Sequence, residues 1–368
     1  MAVLQRKELE GSPLADLHAI ASELGLESFR KLRKTELVGA ILEAQGGEAG
    51  LAVGTGRSAE DESVEEVPAE EALEPQPEPV PEAEPEPEQP EELVGGVLDI
   101  LPNGSGFVRV DPAGQSRDDV YVSPAQIRRC ELRAGDEVSG PVRPPRRNER
   151  HPSLVRVETV NGNPAEPPEQ RPHFSELTAV FPSDRLSGPA WIEGVPFGKG
   201  SRVSVGGPPG AGATRLLREI VSVLREKHSE LQLAVALAGV RPEELGDWRA
   251  DGSVPVYGGS FDRSSEAQAQ AAELAVERAK RAVERGGDAV IVVDTLEALP
   301  SGAARRVFGA ARKLEEGGSL TVVAATGMSW EPQRWATTRV MLDPAGGDGQ
   351  PKVSASRSGA LRSELLGF

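Results

Sequence analysis

Residues 201–227 read SRVSVGGPPGAGATRLLREIVSVLREK: a strand pattern runs into a glycine- and proline-rich turn and straight on into a helix pattern. Strand, phosphate-loop-like turn and helix in that order open an α/β nucleotide-binding domain. The chain downstream continues the alternation. A second strand, LQLAVALAG (231–239), follows; a long helix over 264–287 leads to the apolar strand DAVIVVD (288–294); SLTVVAAT (319–326) gives one more. Strands alternating with helices predict a parallel sheet, and DAVIVV has the apolar run of a strand buried on both faces. Residues 174–368 are assigned to this domain.

The turn itself is incomplete. Gly207, Pro208, Pro209, Gly210, Ala211, Gly212, Ala213 and Thr214 fit GxxxxGK[ST] at Gly207, Gly212 and Thr214, but Ala213 stands at the lysine position. The cation that would meet the β- and γ-phosphates is gone. Backbone N–H groups and the helix N-terminus still offer a cradle for an anion, with Thr214 and Asp294, the acid ending DAVIVVD, available to the magnesium of a weakly held Mg-ATP. The competing reading is a loop kept only for strand–helix packing.

Upstream the period changes. VGGVLDILPNGSGFVRVD (94–111) alternates apolar and polar residues around an Asn103-Gly104 turn, and 118–144 add a strand, a short helix-like insert and a further strand. Residues 93–162 therefore suggest a small five-stranded barrel. Phe107 and Arg109 are two apart, as are Tyr121 and Asp119, so each pair shares a strand face. Aromatics on two neighbouring strands form a base-stacking platform, and Arg143, Arg146, Arg147 and Arg150 supply a basic stretch beside it. The alternative is that both rings are barrel core. We take the nucleic-acid reading.

Residues 1–45 suggest a small helical hairpin. Leu14, Leu17, Ile20, Ala21 and Leu24 fall at helical spacing before Gly25, and Leu37, Ile41 and Leu42 share a face of a second helix. Arg30, Lys31, Arg33 and Lys34 between them are either phosphate contacts or a solvated turn. Residues 46–92 read as an extended, disordered Pro/Glu linker. The formal charge of -17 resides there: Glu60–Glu92 holds 15 acidic and no basic residues, leaving 43 acidic against 41 basic elsewhere. An acidic tract that mimics nucleic acid is the other reading.

The 368 residues suit two or three domains. No run approaches the ~18 apolar residues of a membrane span, and the charged N-terminus does not suit a signal peptide, so a cytoplasmic location is expected. One cysteine, Cys130, excludes an intrachain disulfide, and the four histidines show no metal-ligand spacing.

Taken together, GVLDILPNGSGFVRV, DDVYVSPAQIRR, LRAGDEVSGPVRPPRRNER, PFGKGSRVSVGGPPGAGAT, RPEEL, DAVIVVDT, FGAARKLEEGG and SRSGALRSELL resemble the bacterial transcription termination factor Rho family across most of the chain outside the linker. The resemblance implies a multidomain protein: an N-terminal helical hairpin domain, a cold-shock-like OB β-barrel, and a C-terminal RecA-like P-loop domain that assembles as a hexameric ring. It implies that Phe107 and Tyr121 stack pyrimidine-rich single-stranded RNA, while Arg109, Asp119, Arg146, Glu149 and Arg150 line the nucleotide pockets. His151 stands where the family usually has tyrosine.

The same resemblance marks losses in the motor. Gly239 and Val240 replace the acidic pair before RPEE, where a base beside Arg241 is expected, and Pro344 stands where an arginine finger is expected. Both pore loops are shortened or replaced, the second by TGMSWEPQRWATTRV with Trp330 and Trp335. Arg241 and Asp294 are the remnants of a catalytic set; Glu243, Glu244 and Glu297 are candidate substitute bases, and Lys199 is a poor substitute for the loop lysine. The expectation is an RNA-binding Rho-like factor with a weak or lost ATPase, acting alone, on RNA polymerase or with an active Rho. The alternatives are an RNA-dependent ATPase and helicase with substituted residues, and a decaying gene product.

Overall fold

The computed structural model describes residues 92–368, apart from Asp251, Ser329, the side chain of Trp330 and residues 345–349, together with Leu17, Ala21, Val38 and Ile41. Contacts divide the chain into two compact units, Met1–Glu82 and Ala83–Phe368. In the first, the four described residues are helical and buried. Leu17, Ala21 and Ile41 belong to the anticipated apolar faces; the rest of the hairpin and the linker up to residue 91 lie outside the described residues.

The second unit begins with a barrel. Its strands are β1 (Glu92–Ile100), β2 (Gly106–Arg109), β3 (Val120–Val122), β4 (Glu137–Arg143) and β5 (Ser153–Leu154), with helix α1 (Pro124–Arg129) between β3 and β4. Pairing runs β1–β2–β3–β5–β4, and β4 returns to β1, so the five strands close on themselves. Closure demands near contact of backbones, which explains Gly96: a Cβ there would stand 2.3 Å from the carbonyl oxygen of Arg109. The β1–β2 hairpin turns at Asn103-Gly104, where Gly104 takes φ +82° and the Asn103 side chain accepts the N–H of Ser105 at 3.0 Å. Helix α1 starts on a capping box of Ser123 and Gln126, with Pro124 in its first turn.

Leu98, Val108, Val120, Val122, Val138 and Leu154 fill the barrel. Alternation then sends Phe107, Arg109, Asp119 and Tyr121 to the outer face. Two short strands, β6 (Thr159–Val160) and β7 (Asn163–Pro164), extend the sheet from β4, and Ala165 joins the core, three residues past the boundary anticipated at 162.

The remaining chain is an α/β domain. Its elements are β8 (Ala179–Val180), β9 (Arg202–Gly206), α2 (Ala213–Lys227), β10 (Gln232–Val240), α3 (Leu245–Arg249), β11 (Val256–Ser260), α4 (Ser265–Val283), β12 (Asp288–Val293), α5 (Ser301–Gly309), β13 (Arg312–Leu314), β14 (Ser319–Gly327), α6 (Trp330–Trp335), β15 (Thr338–Met341) and β16 (Gly359–Ala360). The sheet order is β11–β10–β12–β14–β9–β15–β16. Every pairing from β11 to β15 is parallel, and only the small flanking strands run antiparallel.

Central β12 and β14 are apolar on both sides because each face is covered. One core gathers Leu274, Val276, Ile291, Val307 and Phe308 under α4 and α5; the other gathers Val203, Val205, Leu216, Ile220, Val235 and Val292 under α2. Loops after β9, β10, β12 and β14 emerge along one edge, where α/β sheets carry their sites.

Barrel and α/β domain meet along α4. Gly135, at φ +84°, lies so near the helix that a Cβ would be 2.2 Å from the carbonyl carbon of Glu277. Arg278 donates to Glu137 and, at 3.2 Å, to Asn161; Arg133 reaches the buried Glu284 at 3.3 Å. Fully buried Asp136 accepts Arg171 Nη2 at 2.9 Å, the N–H of Arg133 at 2.7 Å and Asn161 Nδ2 at 2.6 Å. Burial pushes its carboxyl up, but these donors overcome that and hold it below the usual carboxylate range.

Candidate nucleic-acid interface and phosphate loop

Register builds the barrel site. Phe107 and Tyr121 are cross-strand partners on β2 and β3, and Tyr121 pairs onward with Ser153 on β5. Their ring centroids are 5.8 Å apart with planes inclined at 71°, and His151 meets Phe107 at 5.1 Å, again edge to face. Both rings are half-buried and stand outside the barrel core. They line a cavity of about 580 Å³ together with Gln126, Arg143, Glu149, Arg150, His151 and Ser153.

One wall of this cavity is an ion pair. Arg143 grips Glu149 with both terminal nitrogens, at 2.7 and 2.8 Å, and the N–H of Arg146 adds a third donor at 3.1 Å. The Arg143 guanidinium, followed by that N–H, lowers the Glu149 carboxyl to about 2, so it stays an acceptor at any physiological pH. Arg146, Arg147 and Arg150 are exposed on the loop that the pair closes. Arg146 serves Glu149 through its backbone and is not among the cavity's lining residues.

Arg109 and Asp119 lie elsewhere than their resemblance implies. Arg109 is 7% exposed, donates Nε and Nη2 to Asp99 at 3.1 and 2.6 Å, and donates Nη1 to Asp119 at 2.6 Å. Asp119 is fully buried and also accepts the N–H of Ser116. Neither lines the aromatic cavity; Arg109 instead supports it, its guanidinium carbon 5.2 Å from the Phe107 ring centroid. Burial and mutual pairing explain this, since a carboxylate so enclosed is held by its guanidinium. Asp99 escaped the sequence reading, although the hairpin turn at 103–104 sets it directly across from Phe107.

At the sheet edge the loop keeps the turn of a phosphate loop, with Ala213 at the lysine position. Gly210 and Gly212 take φ +79° and +91°, Ala211 N–H bonds to Pro208 at 3.1 Å, and α2 starts at Ala213. Pro351 caps the loop: a Cβ on Gly212 would stand 2.9 Å from its Cγ. Ala213 packs its methyl on the core beneath α2, and Thr214 is exposed.

Asp294, 9% exposed, spends its carboxylate on the end of β10, with Oδ1 accepting Ala238 N–H at 2.7 Å and Oδ2 accepting Gly239 N–H at 2.8 Å. Burial pushes its carboxyl up to about 6 despite those donors. Thr214 and Asp294 share no hydrogen bond among the described residues. Val240 is buried in the core, and at Gly239 a Cβ would meet Thr295 Cγ2 at 2.5 Å, so an acid at 239 requires Thr295 to move. Arg241 is exposed and paired with Glu244 at 3.3 Å. Pro344 is exposed next to Asp343, which pairs with Arg357 at 2.6 Å.

Lys199 is anchored to Asp288 at 2.7 Å, at the opposite end of β12 from Asp294. Six strand residues at ~3.3 Å each put it roughly 20 Å from the loop edge. Of the substitute acids, Glu297 lies against Gly327, whose carbonyl accepts the N–H of Gly207 at 2.9 Å. Trp335 is stacked by Arg305 at 4.9 Å, and Arg305 pairs with Glu331 at 2.7 Å, a local clamp between α5 and α6. Among the described residues no three His, Cys, Asp or Glu side chains cluster as a metal site, and no helix is long and apolar enough to cross a membrane.

Comparison with known proteins bears on both halves. Residues 94–166 match the RNA-binding domain of Rho termination factors, and residues 8–50 match the N-terminal domain of the same factors. Transcription termination factor Rho of Aquifex aeolicus is 34% identical over 359 residues, covering 88% of this chain and 73% of that protein. Its counterpart in Bacillus subtilis is 34% identical over 348 residues, covering 86% and 72%, and that of Pseudomonas fluorescens biotype C is 30% identical over 407 residues, covering 98% and 88%. With a matching RNA-binding domain folded as a closed barrel and relatives at least 30% identical over most of the chain, the chain belongs to the Rho family of transcription termination factors.

Proposed function

We propose that this protein is a Rho-type termination factor that binds single-stranded, pyrimidine-rich RNA on the outer face of its barrel and does not use nucleotide hydrolysis to move along it. The observation that carries the first half is the Phe107–Tyr121 pair at a cavity of about 580 Å³ walled by an ionised Glu149 and basic side chains. Flat rings offer stacking, fixed charges offer edge and phosphate contacts, and the combination suits single strands rather than duplexes. The test is binding of oligo(C) RNA by the full chain, followed by fluorescence anisotropy. Absence of saturable binding overturns the reading.

The second half rests on the loop. A magnesium nucleotide needs a cation at position 213, free carboxylate oxygens at Asp294 and an attacking-water base near 240, and this chain offers a methyl group, a carboxylate engaged with β10 and a buried valine. The residues present do not fit Mg-ATP hydrolysis. Steady-state ATP turnover with and without poly(C), on protein already shown to bind that RNA, decides it. Glu297, against Gly327 beside the loop, is the observation that favours the second reading, an ATPase with substituted residues. Ring assembly, a cytoplasmic location and action with RNA polymerase or an active Rho complete the proposal.

A further inference from the structure

The aromatic platform is supported from outside the barrel. Beneath Phe107, the guanidinium of Arg109 is held by Asp99, and Asp99 Oδ2 accepts a further hydrogen bond of 2.6 Å from Gln270 Nε2. Gln270 belongs to α4 of the α/β domain, and its Oε1 accepts Gln115 Nε2 of the barrel at 3.0 Å. Both ends of one amide are therefore committed to the barrel, which fixes its orientation.

Packing alone does not do this job. Asp99, Arg109, Gln115 and Gln270 line a cavity of about 390 Å³ at the seam, so this cluster, although Asp99 and Arg109 are buried, is not close-packed on the side that faces the cavity. Where steric fit is absent, hydrogen bonds set the rotamer, and those to a charged group are the stronger kind. Arg109 in turn presents its cation to the Phe107 ring at 5.2 Å, while Asp99 is the direct cross-strand partner of Phe107.

We propose that Gln270 is a positioning residue for the RNA platform: through Asp99 and Arg109 the α/β domain sets Phe107, so the barrel reaches full RNA affinity only when α4 holds Asp99. The proposal rests on the RNA-binding reading above. It gives the sheet domain a task that needs no nucleotide.

The test uses the full chain and its two tyrosines, Tyr121 and Tyr257, labelled with 3-fluorotyrosine and assigned through Tyr121→Phe. Gln270→Leu, with Gln270→Ala as the second variant, is compared with Arg278→Ala, which breaks another contact of the same helix with the same barrel. Circular dichroism establishes that each variant is folded. The expected result is a displaced Tyr121 fluorine resonance without RNA and at least threefold weaker oligo(C) binding in both Gln270 variants, with neither change in Arg278→Ala. Unaltered resonance and affinity in the Gln270 variants overturn the proposal, and so do equal losses in Arg278→Ala, which would reduce the effect to a loosened seam. Failure of the unsubstituted chain to bind oligo(C) overturns the RNA reading instead, while the RNA-free resonance still decides whether Gln270 sets the platform.

Discussion

Gly239 donates its backbone N–H to Oδ2 of Asp294 at 2.8 Å, while Ala238 donates to Oδ1 of the same carboxylate. The acid that ends a phosphate-loop protein's central strand is here a brace between two parallel strands. Asp294→Ala is therefore expected to strand two N–H groups and cost about 1–3 kcal/mol of stability, as buried unsatisfied donors do. Urea unfolding measures the loss, and oligo(C) affinity is expected to stay unchanged.

The pH dependence of that brace has a definite sign. The Asp294 carboxyl rises on burial from an ordinary 3.8 to about 6, so between those pH values the folded chain binds more protons than the unfolded one. Its contribution to stability is then greatest at the acidic end and falls as pH rises through about 6. Urea midpoints of the parent minus those of Asp294→Ala should shrink from pH 5 to pH 7.5. Growth of that difference would contradict burial as the dominant cause.

Phe107→Ala combined with Tyr121→Ala should weaken oligo(C) binding by roughly 1–3 kcal/mol per stacked base. Because both rings lie outside the barrel core, the melting temperature should change little. A large drop in melting temperature with unchanged RNA affinity would make them structural residues.

Glu149 supplies a contrasting acid. With its carboxyl lowered to about 2 by Arg143, it remains charged across the accessible range, and the stability it contributes is lost only as pH falls through that value. RNA affinity between pH 5 and 8 should show no inflection from this group. Glu149→Gln should reduce affinity at every pH in that window, measured by anisotropy.

The phosphate loop permits a restoration experiment. Ala213→Lys returns the missing cation but leaves Val240 buried and Asp294 occupied, so RNA-stimulated turnover should remain far below ~1 s⁻¹, the low end of ordinary enzymes. Gly212→Ala should cost about 1–3 kcal/mol of stability, since φ +91° disfavours any side chain and Pro351 blocks the space.

Legibility in the sequence followed the range of the interactions. The β9–α2 unit, the buried β12 and β14 and the 103–104 hairpin were readable because period, glycine and proline are local signals. The Phe107–Tyr121 face is legible from two-residue alternation on β2 and β3, consecutive strands that pair across the 110–119 loop. Strands β8, β11 and β13 carry no sequence signal of their own: each is short and owes its existence to its neighbours in the sheet. For Arg109 and Asp119 the sequence implies a pocket wall, because it gives the face of a strand but not the element that covers it. Gln270, 171 residues from Asp99, carries no local signal at all.

Arg171 reaches back to Asp136 from beyond residue 166, where the matched RNA-binding domain stops. A fragment cut at that limit would lose the guanidinium that pairs with Asp136 and the helix that touches Gly135. The matched domain is thus smaller than the unit in which Asp136 finds its guanidinium and Gly135 its helix. Expression of the barrel alone should yield a protein that is less soluble and more readily cleaved by proteases than the same residues in the intact chain.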